Sequence, residues 1–138
     1  MLFRSHAFGR RNWQEIDIYV ATAEGVYLYE AKEHTLRRML GEDIRPITGT
    51  QPYVAPAPVN LVYVADFARM GNAPAAEKPI YAGTDTGFIA QNVYLYCASE
   101  GLATVVRASI DKKAFAEKLK LRADQKVTLA QTVGYPKN

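Results

Sequence analysis

The sequence predicts an α+β domain, a mixed sheet flanked by helices, and three observations point to it. Short runs rich in β-branched and aromatic residues recur, as at Ile16-Asp17-Ile18-Tyr19-Val20 and Asn60-Leu61-Val62-Tyr63-Val64-Ala65. Two other stretches carry apolar residues at helical spacing. Their order along the chain is β-hairpin, β, long helix, β, helix, β, which packs as helices on a sheet. With 138 residues and no internal repeat, low-complexity tract or charge block, one domain over 1–138 is expected.

Each element has its own signal. Val26-Tyr27-Leu28-Tyr29 answers the first strand across Glu24-Gly25, where glycine accepts φ > 0, so the pair reads as a hairpin. Ala31 to Leu40 predicts a short helix or turn ended by Gly41. Pro46, Gly49 and Pro52 limit Asp43 to Val54 to a turn or two. After Pro56-Ala57-Pro58, the apolar run from Asn60 predicts a buried central strand. Gly71, Asn72, Pro74 and Pro79 mark Arg69 to Pro79 as a loop.

The clearest helix follows, with Thr84 or Asp85 as its cap. Phe88, Ile89, Val93, Tyr96 and Cys97 recur at helical spacing, and Leu95 and Leu102 widen the apolar face. Ser99-Glu100-Gly101 stops it at a glycine. Ala103 to Val106 predicts a strand, Asp111 to Leu119 an amphipathic helix capped by Asp111, and Val127 to Val133 a last strand.

Composition excludes several classes. Hydrophobic residues make up 49% and charged residues 22%, the balance of a folded globular chain. The net charge of +3 is too small and too scattered to imply nucleic acid. No window reaches the roughly 18 apolar residues of a membrane span, and Met1-Leu2-Phe3-Arg4-Ser5-His6 lacks a signal-peptide core, so a cytoplasmic protein is expected. One cysteine, Cys97, allows no intrachain disulfide and reads as a buried structural thiol.

Motifs for metal, nucleophilic and nucleotide chemistry are missing. His6 and His34 have no metal-spaced partner, and the nine glycines form neither a phosphate loop nor a dinucleotide fingerprint. Asp85-Thr86-Gly87 matches the aspartic-protease triplet, but a helical pattern follows it where that chemistry needs a tight turn after an apolar strand. Helix capping explains it better. Lys112, Lys113, Lys118, Lys120, Arg122 and Lys126, interleaved with Asp111, Glu117 and Asp124, suit the wet face of a helix. No catalytic or metal-ligating residue is assigned.

Four segments together resemble the FMN-dependent nitroreductase family, in its branch related to SagB-type dehydrogenases. They are Gly9-Arg10-Arg11-Asn12-Trp13-Gln14, the strand of Ala57-Pro58-Val59-Asn60-Leu61-Val62, the helix from Asp85-x-Gly87-x-x-Ala90-Gln91-Asn92 to Ser99-Glu100-Gly101-Leu102-Ala103, and the tail Val133-Gly134-Tyr135-Pro136-Lys137. The resemblance implies a homodimeric flavoprotein that moves hydride from NAD(P)H through FMN to a nitroaromatic, quinone or similar acceptor. It implies that the helix from Asp85 to Glu100 packs at the dimer interface, with FMN between subunits.

The same resemblance implies five cofactor-binding residues. The Glu100-Gly101 turn would present a backbone N–H to the flavin N5, since glycine lets backbone approach a planar ring closely. Asn12 carries an amide that both donates and accepts, with Gln14 supporting it, and Lys137 would stand near the phosphate as a point charge. Two departures stand out: Gly9 replaces the family's Ser, and the family's N-terminal helical segment with its Arg-x-Ser-x-Arg motif is lacking. A shortened relative that dimerises but holds FMN weakly or not at all, without catalysis, is therefore the alternative expectation.

Overall fold

The computed structural model describes residues 12–137; His6 and the Gly9-Arg10-Arg11 part of the predicted turn lie outside them. The hairpin forms as expected. Strands β1 (Ile16–Thr22) and β2 (Gly25–Glu30) pair antiparallel, with Tyr19 opposite Leu28 and Thr22 opposite Gly25. Gly25 has φ 147°, and a Cβ there would stand 2.2 Å from the Leu40 carbonyl oxygen, so only glycine fits.

Ala31 to Leu40 departs from expectation: it is a turn followed by strand β3 (Thr35–Leu40), antiparallel to β2. His34 closes the turn with φ 53°, and its Nδ1 lies 2.9 Å from Tyr29 Oη. β3 is an edge strand exposed along nearly its whole length, and a bulge opposite Val26 and Tyr27 breaks its register. With no buried face it carries no period-two pattern, and Arg37 and Arg38 protect its open edge. Only one 3-10 turn, Arg45–Thr48, interrupts the segment before strand β4 (Val59–Asp66).

Helix α1 (Lys78–Ser99) runs 22 residues and starts well before Thr84 and Asp85, the expected caps. Pro79 reads as a loop breaker in sequence, but it occupies the first helical turn, where a missing N–H costs nothing. Thr84 and Thr86 are mid-helix, returning their hydroxyls to the carbonyls of Ile80 and Ala82 at 2.8 and 2.7 Å. The predicted stop is present: Gly101 has φ 67° and the Leu102 N–H reaches the Cys97 carbonyl at 2.8 Å.

Strand β5 (Ala103–Arg107), helix α2 (Lys112–Leu119) and strand β6 (Gln125–Gly134) complete the chain. Asp111 caps α2 as expected, its Oδ1 accepting from the Ala114 N–H at 2.9 Å. The sheet order is β3-β2-β1-β4-β6-β5. Every pairing is antiparallel, so the α+β class holds while the sheet is not mixed.

Alternation along the central strand β4 builds a core on each face. Leu61 and Tyr63 pack with Ile18 under Ile89, Ala90, Val93 and Cys97 of α1. Val62 and Val64 pack with Tyr19 and Ala130 under Phe115 of α2. Tyr63 Oη donates to Gln131 Oε1 at 2.6 Å, and Gln131 Nε2 donates to the Ala90 carbonyl, so these two buried side chains under α1 are paired. Cys97 is buried in this core, and burial pushes its thiol up, away from nucleophile chemistry. Among the described residues no helix is long and apolar enough to cross a membrane.

Candidate functional site

The five predicted cofactor residues are all exposed, and the sheet separates them into two groups. Asn12 and Gln14 precede β1 at the end where Ile16 faces Ala65 of β4 and Asp66 faces Gln125 of β6. Glu100, Gly101 and Lys137 stand at the other end, where Ala103 of β5 faces Gly134 of β6. Strand β6 runs from one end to the other through ten residues, about 30 Å at the usual strand rise. One small ligand in one protomer therefore cannot touch both groups.

The first group is held firmly. Gln14 has φ 49°, and its amide donates to Asn12 Oδ1 at 3.4 Å. Arg69 clamps this turn, donating to the Gln14 carbonyl at 3.1 Å and bidentately to Asp17 at 2.9 Å. Trp13 meets Tyr81 of α1 edge-on, with ring centroids 5.5 Å apart, which ties the turn to the helix N-terminal end.

Glu15, the next residue, was not singled out in the sequence. Its side chain is fully buried next to Asp85 of α1, and its carboxyl oxygens meet no donor. Burial first, and Asp85 second, push the Glu15 carboxyl up to about 7. With its proton on, Glu15 donates to Asp85; without it, two buried carboxylates repel. The Asp85-Thr86-Gly87 triplet is thus neither a cap nor a turn, and Asp85 belongs to this pair.

At the second end, Gly101 leaves open space where a Cβ would stand, so its backbone is approachable. Lys137 lies on the rim of a cavity of about 760 Å³ between the 52–58 loop, β5 and the C-terminal tail. Ala103, two residues beyond Gly101, lines the same cavity.

Under the cavity floor lies a polar network that sequence reasoning missed. Arg107, ending β5, is buried and bonds to the Thr48 carbonyl, Asn60 Oδ1 at 2.7 Å and Thr132 Oγ1 at 2.7 Å. Thr132 Oγ1 in turn donates to Asn60 Oδ1 at 2.6 Å. All these acceptors are neutral. The partners come from positions 48, 60 and 132, so nothing local marked Arg107 as buried. Desolvation pulls its guanidinium below the usual arginine range, yet the group stays charged.

The outer side of α1 is apolar as well. Ile80, Tyr81, Phe88, Leu95 and Tyr96 are exposed along it, Leu95 by 60%. A second, apolar cavity of about 390 Å³ runs beside Tyr96 and Leu36, between α1 and the β1–β2–β3 sheet face.

Comparison with known proteins sets this geometry in a family. A model described as the Nitroreductase family matches residues 7–135. A protein of Methanocaldococcus jannaschii, named "putative nitroreductase", is 31% identical over 107 residues, covering 75% of this chain and 54% of its own length. The chain thus spans about half of that curated relative. The crystal structure of a Ralstonia eutropha protein, also named "putative nitroreductase", superposes with TM-score 0.84 at 33% identity, covering 99% of this chain and 70% of that one. A chain of the Escherichia coli microcin synthetase complex superposes with TM-score 0.82 at 16% identity, covering 99% and 62%, a likeness of fold alone.

Proposed function

The chain belongs to the nitroreductase family, and from that premise we propose that it works as, or within, an FMN-dependent oxidoreductase. The reaction is hydride transfer from NAD(P)H to a nitroaromatic, quinone or similar acceptor. FMN, when bound, supplies the redox chemistry, and the protein supplies binding, orientation and access. No catalytic acid or base is required of the chain.

The apolar outer face of α1 is the observation that carries this reading. On this 22-residue helix, about 33 Å long, Ile80, Leu95 and Tyr96 leave large apolar side chains exposed, as an interface between copies would. Two copies related by a two-fold axis would pair their α1 helices antiparallel. The Asn12–Gln14 end of one copy then meets the Glu100–Gly101 end of the other, because Trp13 anchors the former to the start of α1 and Gly101 ends it.

In such a dimer the residues fit a flavin. The open backbone at Gly101 accepts the approach of a planar ring, and the Asn12 and Gln14 amides offer donors and acceptors to its polar edge. Lys137 contributes positive charge for the phosphate. The clamp of Arg69 on the Gln14 carbonyl keeps the amide pair in place before any ligand arrives.

The test is direct. Purified chain given excess FMN is expected to retain a flavin absorbance band through desalting and to oxidise NADH when an acceptor such as a quinone is added. Lys137→Ala should weaken FMN more than riboflavin, which lacks the phosphate. Absence of both flavin retention and NADH oxidation refutes the enzyme reading and leaves the non-catalytic, dimerising relative in its place.

A further inference from the structure

The turn that carries Asn12 and Gln14 is joined to α1 through a buried acid pair. Glu15, the last residue before β1, is fully buried, and Asp85 of α1 is 4% exposed beside it. The Glu15 oxygens meet no donor among the described residues. Only a proton held on one carboxyl can therefore bond the two together.

The other charges packed around the pair are already engaged. Arg69, on the 3-10 turn Phe67–Met70, is the cation that faces Glu15. Its guanidinium bonds Asp17 of β1 at 2.9 Å and lies 3.4 Å from Asp66 at the end of β4. Asp66 also accepts from Arg122, which bonds Asp124 ahead of β6. On α1, Lys78 donates to the Phe67 and Gly71 carbonyls, and Tyr81 meets Trp13 edge-on. Two carboxylates thus share Arg69 before Glu15 ionises, and a second charge on the buried pair would be poorly compensated.

The turn is also built to move. Gln14 has φ 49°, in the left-handed region that non-glycine residues seldom occupy, so its contacts hold it there against its own preference. Those contacts include Arg69 on the Gln14 carbonyl, Trp13 on Tyr81, and the Asp66 N–H donating to the Glu15 carbonyl at 2.8 Å.

We propose that Glu15 and Asp85 form a proton-operated latch: one shared proton closes the Asn12–Gln14 turn on α1, and loss of that proton releases the turn while the sheet stays folded. The proton leaves the Glu15 carboxyl for solvent, and the two carboxylates left behind repel. Glu15 relieves the repulsion by swinging into water and carries Gln14 and Asn12 with it. Burial, and then Asp85, hold the closed Glu15 carboxyl up at about 7; in the open turn it returns to its ordinary 4.5. Between these values the closed turn keeps a proton that the open turn gives up. Opening therefore becomes easier by up to about tenfold per pH unit and levels off above 7.

The Asp66 amide reports the latch, because its hydrogen-bond partner is the Glu15 carbonyl. Its hydrogen exchange is followed by nitrogen-15 NMR in the full chain from pH 5 to 8, with the hydroxide-catalysed rise common to all amides divided out. Protection is expected to fall by up to about tenfold per pH unit and to flatten above pH 7. At every pH Asp66 should exchange faster than Val62 of the central strand, which marks the opening as local. Glu15→Gln, neutral throughout, should give a flat profile. Asp85→Asn, which removes the repelling charge, should make the fall level off at a lower pH. A flat profile in the natural chain, an unchanged profile in Glu15→Gln, or Asp66 exchange no faster than that of Val62 overturns the proposal.

No ligand enters that measurement, so the latch and the flavin reading fail separately. On the flavin reading, on which this last step rests, FMN lying across Asn12 and Gln14 holds the turn closed. Saturating FMN should then slow Asp66 exchange at pH 7 in the natural chain. Slowing supports a latch that gates the flavin site. A pH-dependent profile that FMN leaves unmoved supports the latch and removes the turn from that site.

Discussion

Replacing Glu15 by Gln should make the protein more stable at pH 8 and change it much less at pH 5. Glu15 is fully buried beside Asp85, and its carboxyl is pushed up to about 7 from an ordinary 4.5, by burial and then by Asp85, with Arg69 opposing. Between those values the folded protein holds a proton that the unfolded chain has released. Stability from this group is therefore fully present below the ordinary value and is lost as pH rises through 7. The gap between the two is worth at most about 3 kcal/mol at pH 8.

Gln resembles the protonated acid: it is neutral, of the same size, and can donate to Asp85. Urea unfolding of both proteins at pH 5, 6, 7 and 8 reads the effect as a difference between midpoints, which cancels the titration of other carboxylates. The expected result is a difference of about 1 kcal/mol or less at pH 5 that grows in favour of Glu15→Gln to about 3 kcal/mol at pH 8. A difference that does not change with pH, or a variant less stable than the natural chain at pH 8, refutes the reasoning. Either result would mean that Glu15 and Asp85 do not share a proton in the fold.

Three further outcomes follow from named contacts. Gly25→Ala forces a side chain onto a left-handed residue and a Cβ to within 2.2 Å of the Leu40 carbonyl oxygen, so thermal unfolding should show a loss well beyond the roughly 1 kcal/mol scale of ordinary Gly-to-Ala effects. Asp111→Ala removes the side chain that accepts from the Ala114 N–H and should cost about 1 kcal/mol in urea unfolding, with the far-ultraviolet dichroism spectrum retained. Leu95→Asp charges an exposed position of the apolar row on α1. Light scattering should then report a monomer at concentrations where the proposed reading expects the natural chain to pair, and a natural chain that is monomeric at every concentration rules out the α1 interface.

What could be read from the sequence depended on how far apart the deciding residues lie. The hairpin around Gly25, the cap at Asp111 and the stop at Gly101 each rest on a donor, an acceptor or a φ value within a few residues, and each is present as expected. The start of α1 and the edge strand β3 were missed because their local signals conflict: Pro79 breaks helices but also begins them, and an exposed edge carries no buried alternation. Arg107 and the Glu15–Asp85 pair were unreadable for another reason. Their partners lie 25 to 70 residues away, and only the strand order brings them together.

The same reasoning applies to the five proposed cofactor residues. Residue type and short spacing identified Asn12, Gln14, Glu100, Gly101 and Lys137 as chemically suitable, but neither says at which end of the sheet a residue falls. The order β1-β4-β6-β5 sends the first two to one end and the last three to the other, about 30 Å away. A set of residues that suits one ligand but spans a whole domain makes sense only if two copies each contribute half. The apolar face of α1, which runs the length between those ends, is the surface on which two copies would have to meet. The dimer and the flavin site therefore stand or fall together: a chain that fails to pair through α1 cannot assemble the site that its residues suggest.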